Sequence, residues 1–206
     1  MKKLIFTISV VALTFACTES SSKKEFENTQ ESTNQKTSPT SDQTNDQINP
    51  NAFELNLKAF QDCKSSSTNR AQCKEYIAKA VCEYYGITDL KEGGNYVDYD
   101  KIPQKLEELS TWEKVGDFTE DNIQFALEQV NSFGKPVLVF NNNDSYVHVV
   151  ALTPNGSTIK SRKWGNISVP SCVSFFPTRA PEKSFISKGV NYAFKSVSGL
   201  EIWTKN

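Results

Sequence analysis

The residue types in this chain that could do covalent chemistry are its cysteines and one histidine. The sequence of 206 residues contains five Cys and a single His, at position 148. A cysteine attacks a carbonyl carbon when a neighbouring imidazole takes its proton and a third group orients that imidazole. Because the chain has one imidazole, any Cys–His chemistry must use His148, and metal sites that need two imidazoles are excluded.

Cys73 is the predicted nucleophile. The residue pattern predicts a helix from about residue 71 to residue 85, which places Cys73 in its first turn. There, unpaired backbone N–H groups and the helix dipole lower the pKa of a thiol and stabilise an oxyanion formed by its attack. Cys73 shares one stripe of this helix with Ile77 and Ala80, so it would face the element on which the helix packs.

His148 is the predicted general base. The residues from 146 to 152 alternate as a strand does, so His148, Val150 and Leu152 would share one face of a sheet. A Cys at a helix N-terminus beside a His on a neighbouring strand is the arrangement that a cysteine nucleophile needs. The two residues therefore predict a Cys–His hydrolase.

The elements that would position these residues form a helical first half and a strand-rich second half. The spacing of Phe53, Leu57 and Phe60 predicts a helix near residue 51, and Thr119 is a typical N-cap for a later helix. Strands are predicted at residues 136–140, 146–152, 157–163 and 200–204. This order predicts an α+β fold with N-terminal helices packed on a C-terminal antiparallel sheet.

The order of the motifs resembles that of papain-like amidases of the NlpC and CHAP kinds. The resemblance rests first on Gln72-Cys73-Lys74-Glu75-Tyr76, the helix–Gly–strand run at residues 125–139, and residues 146–152 around His148. Residues 163–166 and 169–171 follow, where the third polar residue of these families is expected. The resemblance implies a papain-like fold, no cofactor, and hydrolysis of an amide in peptidoglycan peptides or linkages. Peptidoglycan or its peptides would then be the partner of a monomeric protein.

The resemblance also implies roles for individual residues. Cys73 would be the nucleophile, His148 the general base, and Gln72 a contributor to the oxyanion site. Asn166, which follows the strand, is the predicted third residue that holds the imidazole, with Ser161 and Lys163 on the strand as alternatives.

The remaining cysteines leave a second interpretation open, because an exported Cys is often half of a disulfide. Cys73 and Cys82 are nine residues apart, so on one helix they point to opposite faces and do not pair. We expect Cys73 to be free and favour a Cys63–Cys82 bridge, with Cys172 unassigned and Cys63 as a second candidate nucleophile. The cysteines lack C-x₂-C spacing, so no metal site is expected.

The N-terminus predicts export. Residues 1–16 have two Lys followed by an apolar run, and Cys17 comes next, which resembles a bacterial lipoprotein signal. That resemblance implies a lipid on Cys17 and a membrane anchor on the periplasmic or cell-surface side; an ordinary secretory signal is the alternative. Residues 17–50 are rich in Ser, Thr, Asn and Gln and predict a disordered tether before a domain at residues 51–206.

The net charge and the candidate Cys–His pair are consistent with two functions. The formal net charge of −1 argues against nucleic acid as a partner. The first function is a lipid-anchored cysteine peptidase or amidase that acts on peptidoglycan. The alternative is a non-catalytic lipoprotein of the same fold that binds a cell-wall fragment or a protein partner. That alternative predicts that Cys73 is oxidised or buried.

Overall fold

The computed structural model describes residues 49–67, 73–141 and 146–206. Helices predominate toward the N-terminal side of these residues and strands toward the C-terminal side. The helices are α1 (Ala52–Ser66), α2 (Tyr76–Tyr85), α3 (Ile102–Glu108), α4 (Glu120–Asn131) and α5 (Val190–Ala193). The strands are β1 (Lys91–Glu92), β2 (Asn95–Tyr96), β3 (Trp112–Asp117), β4 (Val137–Asn141), β5 (Val149–Leu152), β6 (Thr158–Ser161), β7 (Ile167–Ser174), β8 (Phe185–Gly189) and β9 (Leu200–Lys205). The predicted α+β class is confirmed.

Seven of these strands form one antiparallel sheet. Its order is β3-β9-β4-β5-β7-β6, and β8 also pairs with β7. The last strand, β9, therefore lies between β3 and β4, and β3 joins the sheet through its pairing with β9. β1 and β2 pair with each other in a separate hairpin.

Two hydrophobic clusters cover the two faces of this sheet. The first cluster joins Leu138, Phe140, Val149 and Ala151 to residues of α1, α2 and α3. The second cluster joins Val137, Val139, Val150 and Leu152 to residues of α4 and α5. Because alternate residues of a strand point to opposite faces, the sheet is covered by helices on both sides. The N-terminal helices pack on the sheet as predicted, and α4 and α5 add a layer on the other face.

The start of α4 shows how the sequence determines a helix end. Thr119 is its N-cap, and the Thr119 side chain accepts a hydrogen bond from the backbone N–H of Asn122 at 3.4 Å. Glu120 and Asp121 lie in the first turn, where negative charge is favourable. The predicted cap is confirmed.

Several predictions concern residues that the structure does not describe. The signal at residues 1–16, the lipidation site at Cys17, the tether up to residue 48 and the oxyanion residue Gln72 lie outside the described residues. Within the described ranges, no helix has both the length and the apolar character that crossing a membrane requires.

Candidate functional site

Cys73 forms a disulfide with Cys63 on α1. The two Cα atoms are 6.1 Å apart, and Cys73 is 4% exposed. A sulfur in a disulfide carries no thiol to ionise, so neither Cys63 nor Cys73 is a nucleophile in this state. The predicted free Cys73 and the favoured Cys63–Cys82 bridge are both wrong.

The disulfide follows from where α2 begins. Cys73 has a φ of 71°, in the left-handed region, which an α-helix of L-residues does not adopt. The helix therefore begins at Tyr76 rather than at residue 71, and Cys73 lies in the turn that precedes it. Ile77 and Ala80 pack in the first cluster as predicted, but Cys73 reaches that cluster from the turn before the helix, so the prediction that it belongs to a stripe of α2 is wrong.

The two free thiols of the described residues are buried. They are Cys82 on α2 and Cys172 on β7. Burial raises the pKa of Cys82 to about 11 and raises the pKa of Cys172 as well. Both remain protonated at neutral pH and act as small apolar residues of the core.

His148 lies on the other face of the sheet from Cys73. It comes directly before β5, and its ring stacks on Phe176 at 4.7 Å between centroids and meets the edge of Phe194 at 5.4 Å. Both phenylalanines belong to the second cluster, whereas Cys73 belongs to the first. The strand alternation that places Val149 toward α2 turns His148 away from it. The predicted Cys73–His148 pair is therefore not brought together.

The imidazole of His148 is buried and uncharged. Its Nε2 lies 2.9 Å from Oγ of Ser174, and its Nδ1 is buried with no hydrogen-bond partner among the residues described. Burial, and then the nearby charge of Arg179, lower the pKa of His148 to about 3. An imidazole with so low a pKa is a weak base at neutral pH.

The pair of Ser174 and His148 has the spacing of a nucleophile and its base, but not the access. Ser174 is 0% exposed, so no substrate carbonyl reaches its hydroxyl. The hydrogen bond satisfies one nitrogen of a buried imidazole, which is a structural role.

Asn166 does not orient His148. It lies exposed in the turn before β7, with a φ of 66°, and its backbone N–H donates to the carbonyl oxygen of Ser161 at 2.8 Å. Nδ1 of His148 has no partner among the described residues, so the predicted third residue is not in place. The alternatives do not orient His148 either: the Ser161 hydroxyl is buried with no hydrogen-bond partner among the described residues, and Lys163 donates to the carbonyl oxygen of Phe194.

A cleft of about 440 Å³ opens beside His148. Its walls include Tyr146, Arg179, Ala193, Phe194 and Lys195. Of the residues that line this cleft, the sequence predicted only His148 as a site residue. Tyr146 lies two residues before His148, Arg179 lies between β7 and β8, and Ala193, Phe194 and Lys195 end or follow α5. The last four of these residues belong to no catalytic motif, and a weak signal is that Arg179 is one of three arginines in the chain.

The described part of the cleft wall carries two cationic side chains, Arg179 and Lys195. The guanidinium carbon of Arg179 lies 4.1 Å from the centre of the Phe176 ring, and Lys195 lies at the surface. Neither side chain forms an ion pair with another described residue. The part of the cleft wall that the structure describes contains no Asp or Glu. The arrangement can hold a negatively charged group.

The described residues offer no alternative centre based on a metal. In residues 49–67, 73–141 and 146–206, no group of three or more His, Cys, Asp or Glu side chains could hold an ion. The cleft beside His148 therefore remains the candidate site among the described residues. No protein-family model and no curated protein matches this chain.

Proposed function

We propose that this protein is an exported, non-catalytic binding protein that holds a peptidoglycan fragment in the cleft beside His148. The observation that carries the proposal is the separation of the two residues that catalysis would need. Cys73 is oxidised and buried in the first cluster, and His148 is uncharged on the opposite face. The cleft that remains has aromatic and cationic walls, and no cysteine lines the part of it that the structure describes.

The class of ligand rests on the motif order of the sequence. That order resembles the order in papain-like amidases. Helices α1, α2 and α3 pack on one face of the sheet in the cluster that contains Cys73, which agrees with a papain-like fold. We include that fold in the proposal. A lipid on Cys17 would hold the domain close to the cell wall. The cleft volume of about 440 Å³ lies within the usual range for small-ligand sites.

The walls of the cleft fit a ligand with both apolar and polar parts. Tyr146 and Phe194 present aromatic surface, on which sugar rings and peptide methyl groups pack. Ser196 and Ser198 add hydroxyl groups that can donate and accept hydrogen bonds. A muropeptide carries all of these complementary groups.

The first experiment separates binding from cleavage. The full chain is incubated with purified sacculi, and soluble products are identified by mass spectrometry with and without a reductant. We expect no release from the wild-type protein, from Cys73→Ala or from Cys63→Ala. The last two variants break the same disulfide, but only Cys63→Ala keeps the Cys73 thiol. Release by Cys63→Ala that is absent from Cys73→Ala would overturn the proposal in favour of a cysteine hydrolase.

The second experiment locates binding in the cleft. Muropeptides made by muramidase digestion of sacculi are titrated into the full chain by calorimetry. We expect Tyr146→Ser to weaken binding about tenfold, because it removes one aromatic wall. Tyr192→Ser is the matched control, since Tyr192 is 60% exposed and lies outside the cleft. Equal affinities for both variants and the wild-type protein would contradict the proposed site.

A further inference from the structure

Two cationic side chains, Arg179 and Lys195, supply the charge of the cleft. The guanidinium of Arg179 lies over the Phe176 ring, and that ring also stacks with His148 at 4.7 Å between centroids. A guanidinium held over an aromatic ring by a cation–π contact can still donate N–H hydrogen bonds to a second group. Because burial keeps His148 uncharged, the positive charge of the cleft comes from Arg179 and Lys195.

Building on the proposed function, we propose that the cleft recognises the free C-terminal carboxylate of a peptide. Arg179 and Lys195 supply the positive charge, and Phe194 packs against the residue that carries the carboxylate. An arginine fork matches the two oxygens of a carboxylate in plane and spacing. Lys195 adds a second cation, and the cleft wall that the structure describes has no Asp or Glu to compete.

The size and walls of the cleft favour a peptide end over an isolated anion. Ala193 and Phe194 are buried apolar residues of α5 and the residue that follows it, and they line the same cleft as Arg179 and Lys195. Ala193 is 4% and Phe194 9% exposed, so the apolar surface that they present to the cleft is small. The methyl group of a terminal alanine would cover it, whereas a small inorganic anion would not. Stem peptides of peptidoglycan end in such a residue.

The test compares two ligands that differ only at the carboxylate. The full chain is titrated by calorimetry with the stem tetrapeptide L-Ala-γ-D-Glu-L-Lys-D-Ala, as the free acid and as the C-terminal amide. A charge-assisted hydrogen bond is lost in the amide, so we expect the acid to bind about tenfold more tightly. Arg179→Gln and Lys195→Gln should each reduce that preference to less than about threefold. Lys58→Gln, an exposed position on α1, is the control and should keep it.

The outcomes separate this inference from the proposed function. Equal binding of acid and amide by the wild-type protein would overturn the inference, while binding of muropeptides would still support the proposed function. Failure of both tetrapeptides to bind would overturn the inference as well, and the muropeptide titration would then decide the proposed function alone. An unchanged preference in Arg179→Gln and Lys195→Gln would place the carboxylate elsewhere.

Discussion

Nε2 of His148 lies 2.9 Å from Oγ of Ser174, and both side chains are buried on the face of the sheet that Cys73 does not reach. Histidine next to a hydroxyl suggests catalysis, yet the closed surroundings of this pair make it part of the core. The hydrogen bond fixes the ring of His148 between aromatic neighbours, and that ring then forms a wall of the cleft.

Ser174→Ala should destabilise the protein. The substitution leaves a second buried nitrogen of His148 without a partner, which costs about 1–2 kcal/mol of unfolding free energy. We expect urea denaturation to show this loss. His148→Phe removes the polar ring and keeps a flat aromatic side chain for stacking on Phe176.

The double variant with Ser174→Ala and His148→Phe tests the coupling. Once the imidazole is gone, removal of the hydroxyl should cost much less than it does in the wild-type protein. Additive losses in the double-mutant cycle would show that the hydrogen bond contributes nothing to stability.

His148 should make the protein less stable in mild acid. The pKa of His148 is about 3 in the folded protein, first because of burial and then because of Arg179, against 6.5 for an ordinary histidine. Between these values the unfolded chain binds a proton that the folded protein does not, so stability falls as the pH falls. We expect the unfolding free energy to decrease by about 2 kcal/mol between pH 7.5 and pH 5.

Urea denaturation at several pH values in that window measures the effect, and His148→Gln is its control. The chain has no second histidine, so the variant should lose most of the dependence above pH 5, where carboxylates are largely ionised. The same slope in the wild-type protein and in His148→Gln would contradict a buried, neutral His148.

The Cys63–Cys73 disulfide should stabilise the fold. It joins residues with a sequence separation of 10, and cross-linking a loop of this length restricts the unfolded chain by about 2–3 kcal/mol. We expect a reductant to lower the urea midpoint of the wild-type protein. A variant with Ser at both positions should have that lower midpoint with or without reductant.

Alkylation provides an independent measure of the same bond. Iodoacetamide applied in urea without reductant should label Cys82 and Cys172, and mass spectrometry should find Cys63 and Cys73 linked in one peptide pair. Labelling of Cys73 under these conditions would show that the disulfide is absent. A loss of stability on reduction would then need another cause.

The hydrogen bonds of Asp89, which lies outside the cleft, should stabilise the folded protein. Its Oδ1 accepts hydrogen bonds from Lys205 at 2.7 Å, Thr111 at 2.9 Å and Trp112 at 3.3 Å, which joins the turn after α2 to β3 and β9. Asp89→Ala leaves three donors without this acceptor, so we expect a loss of about 2 kcal/mol in thermal or urea unfolding.

Asp100→Ala is the matched control for Asp89→Ala. Asp100 pairs with Lys74 at 2.7 Å, but both side chains are substantially solvated, and exposed pairs contribute about 0.5 kcal/mol. Similar losses for the two variants would show that the partly buried contacts of Asp89 contribute no more than a surface ion pair.

Local signals in the sequence predicted much of the fold. The apolar spacing of Phe53, Leu57 and Phe60 predicted α1, and Thr119 predicted the start of α4. These elements depend on residues within one or two turns of each other, so the sequence alone contains the information. The predicted start of α2 at residue 71 was wrong, because the left-handed φ of Cys73 ends the helix pattern there. Nothing in the local sequence indicates such a φ at a non-glycine residue.

The chain by itself determined the α+β class, the apolar stripe of α2 that includes Ile77 and Ala80, and the face that His148 shares with Val150 and Leu152. Only the tertiary structure decided that this stripe and this face lie on opposite sides of one sheet. The physical reason is that alternation along a strand fixes which residues share a face, whereas the face that a helix covers depends on how the chain crosses the sheet. For the same reason Arg179, Phe194 and Lys195, far from His148 in sequence, meet it only in the folded protein.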